Sequence, residues 1–194
     1  MAVETAVAVG DLAPVQIRPY DRAWNEQFAI CADLIRAALG GYAVRVDHIG
    51  SSAVPGLLGR PHLDVQVSVA EPEAEEEYRR ALEDLGFALW VREADRRVFV
   101  AQPGALPAHA PRVETHVYVC RSGGVLEYDQ LLLVQYLATH PDRREQYADL
   151  KRDLAKRFRH EPANYAEGKR NFLRETVRLA HRTFADLREP GYIG

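Results

Sequence analysis

The chain has 194 residues, 47% of them hydrophobic, enough for a substantial core, and a formal net charge of −3. That balance gives no global basic field for nucleic acid or an anionic membrane surface, and leaves room for a local basic pocket serving a phosphorylated small molecule. Cys31 and Cys120 lie far apart and outside any CxxC pattern, so neither a structural zinc site nor a disulfide framework is indicated.

Residues 1–14 carry Glu4 and Asp11 and no basic leader, and read as a loose extension, not a signal peptide. No apolar run approaches the ~20 residues that span a bilayer, and a soluble cytoplasmic protein is expected. "VQIRPYD" (15–21) reads as a short edge strand that Pro19 limits. Next, Trp24, Phe28, Cys31, Leu34, Ile35 and Leu39 recur at three and four, which predicts an amphipathic helix with Asp21 as N-cap and Gly40-Gly41 as its end. "YAVRVDHIG" (42–50) and "HLDVQVSVA" (62–70) read as strands. In the second, Val65, Val67 and Val69 share one face while Asp64, Gln66 and Ser68 share the other. "EPEAEEEYRRALEDLGF" predicts a helix with acids crowded into its first turns, closed by Gly86. "RRVFVAQ" and "VETHVYVC" follow as strands, and 125–188 has helical spacing broken at His140-Pro141 and near Glu161-Pro162. This order points to an α+β domain with a mixed sheet, helices on one side and a C-terminal helical layer.

Chemistry concentrates in "VRVDHIGSSAVPGLLGRPHLDVQVSV" (44–69). Gly50-Ser51-Ser52 leaves a strand on small residues, so backbone N–H groups and two hydroxyls can approach a phosphate closely. Turns also use these residues for conformation alone, and the stretch is neither a Walker A loop nor a GxGxxG fingerprint. Asp64 is an acid within a strand-forming run, where Asp is disfavoured. It is either an oxygen ligand for a divalent metal with triphosphate or a solvated residue on an edge strand. Glu114, His116 and Tyr118 share a face of "VETHVYVC"; beside the Asp64 strand they would form a metal or acid–base cluster, and otherwise the polar side of a half-exposed strand. Arg45, Arg60, Arg112, Lys151 and Lys169 are candidate phosphate partners, Arg60 first because it lies between the turn and Asp64. Tyr165 and Lys169 share a helix face. Ser51 as a hydrolytic nucleophile is disfavoured: GxSxG is absent, and His48 sits on a strand three residues away with poor geometry.

"IRPYDRAW", "VDHIGSSAVPGLLGRPHLDVQVSV", "ETHVYV", "ADLKRDLA" and "NYAEGKRNFL" together resemble the GrpB-like family of the nucleotidyltransferase-fold superfamily, over about residues 15 to 182. The resemblance implies a twisted mixed β-sheet with flanking helices in 15–124 and a helical portion, 125–194, packed on it. It also implies that Gly50 and Ser51 contact nucleotide phosphates, that Asp64 is the first acid that binds Mg2+, and that Glu114 or His116 is the candidate for a further acid. In the reading built on this, Gly50, Ser51 and Ser52 hold the phosphates, Arg60 and Lys169 neutralise charge, and Asp64 with Glu114 or His116 holds Mg2+ and serves catalysis. Three departures stand out: Gln66 occupies the second acid position, Arg60 replaces a lysine, and His116-Val117-Tyr118 replaces His-x-His.

The leading expectation is Mg2+-dependent transfer of a nucleotidyl group from an NTP, ATP first, to a small-molecule acceptor, with no nucleic acid or membrane partner. Alternatives are an ATP-dependent ligase that activates a carboxylate as its adenylate, a non-catalytic nucleotide- or metabolite-binding module suggested by Gln66, and a structural protein.

Overall fold

The alternation in "HLDVQVSV" makes a central strand, and the rest of the molecule is arranged by its two faces. The computed structural model describes residues 14–184. In chain order these form α1 (Ala23–Leu39), β1 (Arg45–Ile49), β2 (His62–Val69), α2 (Glu75–Asp84), β3 (Ala88–Arg92), β4 (Arg96–Ala101), β5 (Glu114–Arg121), α3 (Val125–Thr139), α4 (Pro141–Arg157) and α5 (Pro162–Thr183). The sheet order is β1-β2-β5-β4-β3. β2 and β5 run parallel, and the other three pairs are antiparallel. A parallel pair needs a long crossover, and here it is the whole α2–β3–β4 segment.

On one face Val65, Val67, Val69, Val117, Val119 and Phe99 pack under α1 and α2, against Trp24, Ile35, Leu39, Tyr78 and Leu82. Burying each large apolar side chain contributes roughly 1.5–3 kcal/mol before the entropic cost is set against it. The opposite face carries the polar half of the alternation and is covered in part by α3. Gln66 Nε2 donates to the Glu127 carbonyl of α3 at 3.4 Å, and Val134 packs on a cluster of Ile49, Val98 and Tyr118.

Helices α3, α4 and α5 enclose a second core of Leu133, Leu137, Tyr147, Ala148, Leu173 and Val177, into which the β1–β2 connector inserts Val54 and Leu57. The connector is thereby held between sheet and helices. Pro141 and Pro162 open α4 and α5 at N1, where the missing N–H has no intrahelical partner to lose. Gly168 lets α5 approach α4: a Cβ there would fall 2.5 Å from Leu154 Cδ2. Among the described residues, no helix is long and apolar enough to cross a membrane.

Several local expectations shift. The "VQIRPYD" strand reduces to one bridge, Arg18 with Gly59. Helix α1 starts at Ala23 with Arg22 as N-cap, and Asp21 accepts the Ala23 N–H at 2.9 Å from one position earlier. Helix α2 begins at Glu75 because 71–74 is spent on a turn. β3 was not anticipated. The N-terminal extension, apart from Pro14, and residues 185–188 of the helical stretch lie outside the described residues.

Candidate functional site

β1 ends at Ile49, and Gly50 turns the chain into a single 3₁₀ turn, Ser51–Ala53. Gly50 has φ 70° and ψ −166°, a region open essentially to glycine alone. A Cβ at this position would lie 2.2 Å from Asp64 Oδ2. The turn therefore rests its backbone directly on the carboxylate, with only hydrogen between them.

Asp64 is 3% exposed. β2 is an interior strand, so the edge-strand alternative for Asp64 falls, and β5 is likewise interior, not half-exposed. The parallel register sets Asp64 beside His116, and His62 beside Glu114. Tyr118 Oη donates to Asp64 Oδ1 at 3.1 Å, and His62 Nε2 lies 3.2 Å from Oδ2. His116 Nε2 donates to Glu114 Oε1 at 2.6 Å, while its Nδ1 is 3.3 Å from Tyr118 Oη. The rings of His62 and His116 stack with centroids 5.1 Å apart. The result is a continuous chain, Glu114–His116–Tyr118–Asp64–His62, that can move a proton between a buried carboxylate and two more accessible ends.

Burial pushes the Asp64 carboxyl up, but the His62 imidazole, His116 and the Tyr118 hydroxyl outweigh it and hold it well below the usual range. The hydrogen bond from His116 holds Glu114 below its ordinary value against the opposing effect of burial.

The turn is gripped from two further sides. Lys151 of α4, 1% exposed, donates from Nζ to Ser51 Oγ at 3.0 Å and also to the Leu58 carbonyl. Its ammonium lies 4.4 Å from the Tyr147 ring centre. On the α1 side of the sheet, His48 Nε2 is 3.0 Å from Ser52 Oγ, and its ring stacks on Phe28 at 4.6 Å. Burial lowers the His48 imidazole to about 4, so it meets Ser52 as a neutral ring. His48 thus pairs with Ser52, not Ser51, and Ser52 is itself buried.

The expected residues separate into groups. Gly50, Ser51, Asp64, Glu114 and His116 converge. Ser52 faces back into the protein. Arg60 lies on the Glu114 side, where its charge helps hold that carboxyl down. Lys169 sits 4.8 Å from the Tyr165 ring centre, beside a cluster of Val15, Leu154 and Tyr165. Arg45 is engaged with Asp47 at 2.8 Å, and Arg112 is exposed. Lys151 is the cation at the turn. His62 escaped notice in the sequence, although its period-two relation to Asp64 places it on the same face.

Magnesium fits this arrangement poorly. Among the described residues, no group of three or more His, Cys, Asp or Glu side chains is disposed to hold a metal ion. Both Asp64 oxygens and one Glu114 oxygen already face hydrogen-bond partners, two of those partners are imidazoles, and Mg2+ demands oxygen in near-octahedral array. The expected set Asp64, Glu114 and His116 is therefore taken up by partners within the protein in this state.

A profile described as GrpB protein matches residues 14–178. A UPF0157 protein of Halalkalibacterium halodurans is 32% identical over 185 residues, covering 91% of this chain and 90% of its own. The crystal structure of the conserved protein GrpB from Enterococcus faecalis superposes with a TM-score of 0.75 at 25% identity, over 88% of this chain and 99% of that one. A cytoplasmic RNA terminal U-transferase shares the fold at a TM-score of 0.53 and 16% identity, over 77% of this chain and 48% of its own.

Proposed function

The chain belongs to the GrpB family and has a nucleotidyltransferase-like fold, and from that premise we propose that it binds an NTP at the Gly50–Ser51 turn and transfers the nucleotidyl group to a small-molecule acceptor. The observation that carries this reading is the Lys151 ammonium on Ser51 Oγ, at a turn resting on the Asp64 carboxylate. A buried cation, a hydroxyl and backbone at a glycine are the groups that hold phosphate oxygens. In the proposed step an acceptor oxygen or nitrogen attacks the α-phosphorus and the α–β anhydride bond breaks. Pyrophosphate leaves toward Lys151, and the acceptor proton passes to the Glu114–His116 pair. Asp64, held anionic, positions Gly50 and anchors the Tyr118 end of the chain.

Calorimetry with each NTP, with and without Mg2+, followed by pyrophosphate release over an acceptor panel, tests the reading. Adenylylated product supports transfer; AMP with an amide product moves the assignment to ligation. Lys151→Met that binds NTP as tightly as wild type would remove the basis for it. Gln66 in the second acid position, bonded to the Glu127 carbonyl and not open to the site, favours a second reading as a nucleotide-binding module. Tight NTP binding with no turnover over the panel would select that one.

A further inference from the structure

Further along the α3 face of the sheet, three buried oxygens have no hydrogen-bond partner: Asp47 Oδ2, Ser68 Oγ and Glu127 Oε1. They belong to one neighbourhood. β1 and β2 pair Asp47 with Gln66 and Arg45 with Ser68, so these four residues share one face. Gln66 donates to the Glu127 carbonyl at 3.4 Å, which brings the first turn of α3 over the same spot. Cys120 stands across from Ser68 on β5. Burial pushes its thiol up to about 12, the Ser68 hydroxyl opposes this, and the Glu127, Asp47 and Asp95 charges add to it. Both carboxylates are therefore felt at one thiol beside Ser68.

The charges of this cluster do not balance. Arg45 Nη2 meets Asp47 Oδ1 at 2.8 Å, and Glu127 Oε2 accepts the Gly123 N–H at 2.6 Å. Each carboxylate spends one oxygen on a neighbour and leaves the other bare in the interior. The buried Arg96 is paired with Glu93 at 2.9 Å, so one guanidinium, Arg45, stands against the two acids. A bare buried acceptor is costly, and more so when it is charged. One water could donate to both carboxylates and accept from the serine, but it would leave the excess negative charge in place. A single positive charge removes both costs.

We propose that Asp47 Oδ2, Ser68 Oγ and Glu127 Oε1 together hold a monovalent alkali cation that ties β1 and β2 to the first turn of α3. Two carboxylate oxygens and a hydroxyl are hard donors, but they fall short of the near-octahedral oxygen array that Mg2+ demands. The cluster uses neither the Gly50–Ser51 turn nor Asp64, and stands or falls apart from the transferase reading.

Thermal unfolding of the full chain in KCl, NaCl and choline chloride, each at ~0.15 M, tests the site. KCl or NaCl should raise the melting temperature by about 3 °C or more over choline chloride. Glu127→Gln keeps an acceptor for the Gly123 N–H but removes the charge, and should abolish that rise. Ser68→Ala removes only a hydroxyl and should shrink it. In crystals soaked with RbCl, an anomalous peak should lie among the three oxygens. Equal melting temperatures in the three salts would overturn the cation and leave water as the partner. A rise that survives in both variants, or no rubidium peak among the three oxygens, overturns the site as well.

Discussion

Gly50→Ala probes the closest contact in the candidate site. The new Cβ would lie 2.2 Å from Asp64 Oδ2, 2.8 Å from Cγ and 2.9 Å from the Asp64 Cβ. The carboxylate would have to retreat by roughly 1 Å, away from Tyr118 and His62, while alanine is forced into a glycine-only conformation. The backbone cost is about 1–3 kcal/mol, and loosening hydrogen bonds to a charged, buried group adds roughly 1.5–3 kcal/mol. A total near 3–5 kcal/mol is expected in guanidinium unfolding followed by circular dichroism. The double variant with Asp64→Ala removes the two colliding carboxyl atoms, so the pair should be non-additive by about 2 kcal/mol, with the double variant less damaged than the sum. A cost below about 1 kcal/mol, or strict additivity, would refute the direct contact between turn and acid.

Lys151→Met should weaken NTP binding about 10- to 100-fold, the worth of a charge-assisted hydrogen bond, measured by calorimetry. Lys151→Arg should not restore it, since a planar guanidinium does not fit the seat between Ser51, the Leu58 carbonyl and Tyr147. His48 has a folded value of about 4 against an ordinary 6.5, so the unfolded chain takes up the proton first as pH falls. Its contribution is intact above pH 6.5 and lost as pH falls toward 4, by up to about 3 kcal/mol. Unfolding curves for His48→Gln against wild type from pH 7 to 4 should show that difference shrinking, and a constant difference contradicts it. Gln66→Asp places a buried acid across from Asp47 and two positions from Asp64. It should lower apo stability by about 2–4 kcal/mol and make the melting temperature rise with MgCl2, which the wild type should not do.

Alternation alone put Asp64 with Gln66 and Ser68, and Glu114 with His116 and Tyr118, because the side-chain period of a strand is local. That the two sets meet depends on β2 and β5 pairing in parallel, a non-local choice made by the crossover. β3 escaped because "ALWVR" has no clean alternation, and its register shifts between Leu89 and Val91. Lys151 reads in sequence as one more lysine on a polar helix; its burial comes from Tyr147 beside it and a turn 100 residues earlier. His48 was legible as a nearby imidazole, but its alternation places it on the α1 side, so it props Ser52 and leaves Ser51 to Lys151.

That 100-residue span between Ser51 and Lys151 has a consequence during synthesis. At 5–20 residues per second, the turn leaves the ribosome roughly 5–20 s before the ammonium that seats it. Tyr118, the donor to Asp64, follows that acid by 54 residues. Through that interval the nascent chain carries an acid without its donor and a connector whose Val54 and Leu57 have no helices to cover them. The order of emergence leaves the cover over the connector incomplete until α5, with Leu173 and Val177, has followed α3 and α4.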